Sequence, residues 1–324
     1  MNLETKYIGL ELKNPVIVSS SGLTDSVEKI KKLEEYGAGA VVLKSLFEEQ
    51  INYEVSQMME HADYPEAEDY IRNYSKNNSV EEYLSLIEKA KRETGIPVIA
   101  SINCISANDW ISFAKRIEDA GADALEINVF YFPSDKRMKA DDYERIYYDL
   151  ASKLKNEVSL PIAFKLGSHF TNLVRVVDEL FFRGVKGVVL FNRFYEPDID
   201  VDNMKFKAGE IFTSPSDISK SLRWVGILSD KNTEIDIAAS TGVHDGKAVA
   251  KQLLVGADAV MICSVLYKKG PEYLGIILHE FKRWMEKYGY DSINDFHGKM
   301  SYTKLKDPAI YERSQFMKYF SHQQ

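Results

Sequence analysis

The sequence predicts a (β/α)8 barrel, eight parallel strands alternating with eight helices and closed on themselves, and three observations carry that expectation. Short runs of β-branched and small apolar residues recur eight times along the 324 residues, each followed by a longer stretch with the apolar spacing of an amphipathic helix. The runs are mostly continuous rather than alternating, the pattern of parallel strands covered on both faces. A glycine-containing small-residue turn also repeats four times between a helix and the next strand.

In chain order the predicted strands are Pro15–Ser19, Ala40–Leu43, Pro97–Ile102, Ala124–Asn128, Pro161–Lys165, Gly187–Leu190, Ile235–Ala239 and Ala259–Ile262. The helices expected between and after them are Val27–Tyr36, Val80–Glu93, Asp109–Ala120, Asp141–Glu157, Leu173–Arg183, Ser216–Leu228, Gly246–Val255 and Pro271–Lys287. The repeated turn reads Gly37-Ala38-Gly39-Ala40, Gly121-Ala122-Asp123-Ala124, Gly184-Val185-Lys186-Gly187 and Gly256-Ala257-Asp258-Ala259. Glycine just past a helix supplies a left-handed cap, and the small residue lets the chain re-enter the sheet tightly. The alternative with the same element order is an open, doubly wound sheet; the recurring turn favours closure.

The segment Met1–Lys13 reads as a short strand or hairpin that plugs the barrel's bottom. Two connections exceed what a βα loop needs: Phe47–Ser79, acidic and carrying Tyr53, Tyr64, Tyr70 and Tyr74, and the polar Asn192–Pro215. Loops after strands face the active-site end of a barrel, so these two are candidate lids or substrate walls, or else plain subunit contacts. The whole of residues 1–324 is expected to form one domain.

Composition narrows the function. A content of 45% hydrophobic and 28% charged residues is that of a globular protein with a core. A formal charge of -8 argues against nucleic acid or an anionic membrane as partner, without excluding a small anionic substrate. The two cysteines, Cys104 and Cys263, suggest neither a disulfide framework nor a zinc site. Apolar runs are strand-sized, short of the ~20 residues of a membrane helix, and the start of the chain is no signal peptide, so a cytoplasmic address is expected.

Catalytic groups on a barrel project from strand ends. Here those ends are Ser19-Ser20-Ser21-Gly22, Lys44-Ser45, Asn103, Asn128, Lys165, Asn192, Ser240-Thr241-Gly242 and Cys263-Ser264. The turns after the last two strands are where barrels often seat a phosphate, with Gly242 allowing close backbone approach and Ser264 offering a hydroxyl. Lys44 and Lys165 can stabilise negative charge or bind a carboxylate, and otherwise are lysines snorkelling to water. Asn103, Asn128 and Asn192 each offer a donor and an acceptor to a flat heterocycle, or are strand-end caps.

These motifs resemble the dihydroorotate dehydrogenase family from about Leu3 to Lys268. Ile8-Gly9-Leu10-Glu11-Leu12-Lys13-Asn14-Pro15 matches the family's entry into the first strand, and Ser20-Ser21-Gly22 its Ala-Ser-Gly loop. Lys44-Ser45, the strand end Ala124–Asn128, Lys165 and Asn192 fall on further family positions, with Arg193 where the family has threonine. Ala239-Ser240-Thr241-Gly242-Val243-His244-Asp245 is similar to the C-terminal signature, with Thr241 where glycine is usual. Cys263-Ser264 stands in for a Gly-Thr phosphate loop.

The resemblance implies FMN as cofactor, held by Ser20, Ser21, Gly22, Lys44, Ser45, Asn103, Asn128, Lys165, Thr241, Gly242, Cys263 and Ser264. It implies a small-molecule substrate, held by Lys44, Asn128 and Asn192, and a homodimer with a possible electron-transfer subunit. Iron–sulfur chemistry, if any, belongs to that partner, because two cysteines cannot ligate a cluster alone.

The departures fall on the substrate side. In Asn128-Val129-Phe130-Tyr131-Phe132-Pro133-Ser134, Tyr131 occupies the slot of the family's catalytic cysteine or serine, and the pyrimidine-contacting pattern is not legible in Phe47–Ser79. A tyrosine, with a reference pKa near ~10, is a poor base at neutral pH. Candidate catalytic groups are therefore Lys44, Tyr131 and Cys104. Three readings stay open: a dihydroorotate dehydrogenase with a relocated base, an FMN oxidoreductase on another unsaturated or cyclic substrate with Tyr131 as proton donor, and a non-catalytic flavin-binding barrel.

Overall fold

The computed structural model describes residues 1–47, 68–103, 107–129, 131–193, 196–230 and 234–312, without the side chains of 68–78 and 107–110. Two short strands, β1 (Thr5–Tyr7) and β2 (Leu10–Leu12), form an antiparallel hairpin. The strands β3 (Val16–Val18), β4 (Ala40–Val42), β5 (Leu46–Phe47), β6 (Val98–Asn103), β7 (Ala124–Asn128), β8 (Ile162–Leu166) and β9 (Gly187–Leu190) follow. A second hairpin, β10 (Pro197–Asp200) and β11 (Lys205–Ala208), precedes β12 (Asp236–Ala239) and β13 (Ala259–Ile262). The ring runs β3-β4-β6-β7-β8-β9-β12-β13 and closes because β13 pairs with β3; every pairing in it is parallel. The expected eight-stranded closure is therefore present, and the open sheet is excluded.

Closure works because of what the turns contain. Gly37, Gly121, Gly184 and Gly256 adopt φ of +101°, +87°, +89° and +103°, the left-handed region that a β-carbon disfavours. Two of these turns also carry an aspartate with a structural task. Asp123 accepts a hydrogen bond from the Val98 N–H at 2.7 Å, and Asp258 accepts one from the Ile237 N–H at 2.7 Å. Each fastens the start of the preceding ring strand to the turn beside it, satisfying an N–H that would otherwise be buried unpaired.

Helices coat the ring. Val27–Glu35, Leu173–Phe182 and Gly246–Leu254 start at Ser26, Asn172 and Asp245, whose side chains accept from the N–H three residues on. Their buried faces, such as Ile30 and Leu33 or Val176 and Leu180, join the outward strand residues in one core layer. A second, smaller cluster fills the ring itself: Ile17, Ala40, Val42, Ile99, Ala124, Ala163, Val189, Ala238, Ala259 and Met261, closed from below by Tyr7, Ile8 and Leu12 of the first hairpin. The interior is mostly Ala, Val and Ile because inward side chains from eight strands converge there, and the plug supplies the missing volume. Gly187 leaves that room, since a β-carbon on it would come within 2.4 Å of Ile8 Cγ2.

Three elements differ from expectation. The helix read as Val80–Glu93 begins at Glu68, inside the stretch taken as loop. The polar connection Asn192–Pro215 contains the β10–β11 hairpin, and a six-residue helix, Ser264–Lys269, precedes Tyr273–Tyr288. Residues 48–67 of the long second-strand loop lie outside the described residues.

Asp258 makes the fold sensitive to pH. Burial pushes its carboxyl up to about 7, assisted by the neighbouring Asp236 and opposed by the Ile237 N–H. An acid whose folded pKa exceeds its unfolded value, ~3.9, favours the fold at low pH and loses that contribution as pH rises through the folded pKa. Stability should therefore fall by about 2 kcal/mol between pH 4 and 8, roughly half the full linkage value because the side chain retains some solvent contact. Asp258→Asn keeps the acceptor for Ile237 and should flatten that slope. Thermal unfolding of both proteins across this range checks it, and equal slopes would contradict the assignment.

Candidate active site

Strand alternation sets the floor of the site. On β6, β7 and β8 the inward positions step from Ile99 to Ser101 and Asn103, from Ala124 to Glu126 and Asn128, and from Ala163 to Lys165. Each series passes from apolar at the plugged end to polar at the mouth. Above this floor lies a cavity of about 560 Å³. Its wall includes Ser19, Ser20, Lys165, Asn192, Ser240, Thr241, Gly242, Cys263 and Ser264, together with Arg193, Glu196, Phe212, Thr213 and Tyr267.

At one end the last two strands present their turns. Ser264 accepts a hydrogen bond from the Thr213 N–H at 3.0 Å, leaving its own O–H to donate. Thr213 is held further by His244 Nε2 at 3.0 Å and by Lys268, which donates to its carbonyl at 3.0 Å. The connection after β9 is thus pinned over both turns. Burial and the nearby charges of Lys268 and Lys269 hold His244 below its usual range. Burial also pushes the Cys263 thiol up, against the opposing effects of Ser21 and Lys165, so it is a thiol at neutral pH.

Gly242 has a packing role as well as the expected one. It adopts φ +72°, and a β-carbon there would meet the backbone of Ile218 at 2.0 Å. Its smallness lets the helix Ile218–Leu228 pack against the turn. Thr241 beside it sits at φ +75°, costly for a β-branched residue, which explains why a related sequence would write glycine.

Lys165, 7% exposed, reaches the cavity wall between Ser19 Oγ at 3.3 Å and Glu126 Oε1 at 3.4 Å. Asn192 donates to Asn128 Oδ1 at 2.6 Å, so two of the three expected amides meet at the mouth. Ser20, Ser45 and Ser101 are linked hydroxyl to hydroxyl at 3.0 and 2.8 Å, with the Ser45 N–H donating to Ser20.

Other expected residues stand apart from the cavity wall. Lys44 is exposed, and Ser21, Gly22, Ser45 and Asn103 lie behind or beside the wall. Tyr131 is half-buried against the helix core, where its backbone hydrogen-bonds with Tyr147. Cys104 lies outside the described residues. Sequence reasoning passed over Glu126, although a carboxylate amid the apolar strand Ala-Leu-Glu-Ile-Asn was a readable signal. Arg193, Phe212 and Thr213, in the wall, belong to the connection Asn192–Pro215 that was expected as a lid or substrate wall, though none was singled out because the connection has no periodicity.

A parallel barrel with a polar cavity at the carboxyl ends of its strands, lined by a lysine and two backbone turns, is the architecture of a barrel enzyme with its site at the strand ends. Comparison with known sequences makes this specific: the dihydroorotate dehydrogenase family matches residues 2–285, and the chain belongs to that family of oxidoreductases. It is 24% identical over 306 residues to the catalytic subunit of dihydroorotate dehydrogenase B (NAD(+)) from Thermoplasma volcanium, covering 92% of this chain and 98% of that protein. The corresponding subunit from Methanocaldococcus jannaschii is 27% identical over 279 residues, 83% of this chain and 88% of the relative. Dihydroorotate dehydrogenase A (fumarate) from Lactobacillus helveticus is 25% identical over 313 residues, 93% and 99% of the two chains.

Among the described residues no helix is long and apolar enough to cross a membrane, and no cluster of metal-ligating side chains occurs.

The strain at Thr241 is testable. Thr241→Gly should raise stability by about 1 kcal/mol, relief of the left-handed conformation outweighing the added freedom of the unfolded chain. Denaturant unfolding measures it; a loss of stability would show the turn is relaxed as it stands.

Proposed function

We propose that the cavity holds FMN, with its phosphate against the turns Ser240-Thr241-Gly242 and Cys263-Ser264 and its ring system toward Lys165, and that the chain oxidises dihydroorotate to orotate. One observation carries the cofactor reading: a single cavity of about 560 Å³ joins a buried lysine to the two turns where barrels seat phosphates. That size suits a ligand of FMN's class. Ser264 retains a hydroxyl proton for an anion, and Lys165 supplies positive charge at the cavity wall. Bound FMN would supply the two-electron acceptor that no side chain provides.

The residues divide the remaining work. Asn128 and Asn192, paired at the mouth, offer amide donors and acceptors to a pyrimidine-like ring. The connection carrying Phe212 and Thr213 forms part of the cavity wall. Family membership and the names of its relatives support dihydroorotate as substrate.

A second reading follows from the sequence slot of the expected base alone. It holds Tyr131, a phenol better suited to giving a proton than taking one at neutral pH, whose side chain packs on the helix core and must turn to reach the cavity. On that reading the enzyme reduces an activated C=C bond in another small substrate. Purified protein given FMN should turn yellow, and anaerobic dihydroorotate should bleach the oxidised flavin band. If it does not, the first substrate is wrong; the second reading then requires Tyr131→Phe to stop turnover with flavin retained.

A homodimer is the assembly we propose, formed through the β10–β11 hairpin. Ile199, Val201, Met204 and Phe206 are 55–87% exposed there, an apolar patch of the kind that marks protein contacts. Light scattering should give twice the chain mass for the wild type and the single mass for Phe206→Asp. The NAD(+)-type relatives, named catalytic subunits, support an additional electron-transfer partner.

A further inference from the structure

Glu126 and Lys165 are the only Asp, Glu, Lys or Arg side chains buried among the described residues. Glu126 is 1% exposed in the middle of β7, surrounded by positions filled elsewhere with alanine, valine and isoleucine. Strand register puts Ser101 directly beside it on β6, and puts Ala163 opposite it on β8, with Lys165 one inward step nearer the mouth. Its Oε1 receives Lys165 at 3.4 Å and Ser101 Oγ at 3.5 Å. Its Oε2 has no hydrogen-bond partner. A carboxylate so placed is costly, and structural need alone does not explain it, because an apolar pair of similar volume is usually at least as stable.

We propose that Glu126 is a positioning residue. It holds the Lys165 ammonium at the cavity wall and partly offsets its charge, so setting the electrostatic field that a bound flavin meets. The inference rests on the FMN reading of the cavity. Three features support it. The lysine's contacts to Ser19 and Glu126, at 3.3 and 3.4 Å, tether it from below and leave donor capacity toward the cavity. Glu126 reaches solvent through no group of its own, so its charge is felt inward. The chain Ser20–Ser45–Ser101 then connects the carboxylate to a second point on the same wall, tying both to one rigid unit.

The test is the midpoint potential of bound FMN at pH 6. Glu126→Gln leaves an uncompensated ammonium, which favours the more negative reduced cofactor, so the potential should rise by at least ~30 mV, a tenfold shift for a two-electron couple. Lys165→Met should lower it. An unchanged or lowered potential in Glu126→Gln would overturn the proposal, since a merely structural carboxylate would alter stability alone. Melting of flavin-free protein supplies the independent arm. Each single variant should melt below wild type, and the double variant Glu126→Gln/Lys165→Met at or above the less stable single. Additive losses, or a double variant that does not fold, would equally overturn the pairing. Wild-type protein that takes up no FMN would remove the cofactor reading, while the melting cycle would still decide whether Glu126 holds Lys165.

Discussion

A ring of eight parallel strands encloses a space that helices cannot reach, so side chains must fill it, and the two-residue period of a strand decides which ones. In this chain that constraint produces core and site together. The lower inward positions, Ile17, Ala40, Ile99, Ala124, Ala163 and Ala238, make a dry layer capped by Tyr7. The next positions up, Ser19, Ser101, Glu126 and Lys165, carry polar groups; Ser19 and Lys165 line the cavity, and Ser101 and Glu126 lie buried beneath it. A one-residue slip would turn both sets outward at once. The plug matters for the same reason: with so many alanines inside, the ring needs the Tyr7 ring and Ile8 for volume.

This pairing of core and site explains what was legible in the sequence. The glycine turns were readable because left-handed φ is nearly exclusive to glycine, and all four recur at the expected joints. Strand ends were readable because apolar runs stop abruptly there, as at Asn128 and Lys165. The β10–β11 hairpin was not, since an exposed two-stranded ribbon has no buried face to impose an alternation on its residues. The helix extension from Glu68 was hidden for a related reason: Asn, Ser and Lys dominate residues 72–79, and their intrinsic preference is not helical enough to announce itself. Glu126 was passed over because attention to strand ends misses a charge one layer down.

Around the late strands the same physics operates through the backbone. Gly242 and Thr241 are both left-handed, and the turn they form must clear the incoming helix Ile218–Leu228. That geometry fixes where the turn lies independently of any ligand. Thr213 then locks the covering connection to it through Ser264, His244 and Lys268. A pocket assembled in this way is preorganised, and the proposed phosphate would need little reordering of its residues. The sequence motif survives here with a threonine in place of glycine because the turn's shape is imposed by packing and can carry the strain.

The substrate side has no such scaffold, and that asymmetry accounts for its divergence. On the proposed FMN reading, Lys165 and Asn128 stand on strands whose inward register cannot drift without loss of the core, whereas the base slot belongs to a loop. Tyr131 lies on such a loop, turned into the helix core beside Tyr147 rather than to the cavity wall. Two titratable groups that line or adjoin the wall are ill suited to abstract a proton: burial keeps Cys263 protonated, and His244 is engaged with Thr213. Acid–base chemistry at this site is therefore separable from cofactor binding, and one can change while the other persists. A barrel that keeps the polar floor set by its strands and rewrites its loops changes its substrate before it changes its chemistry.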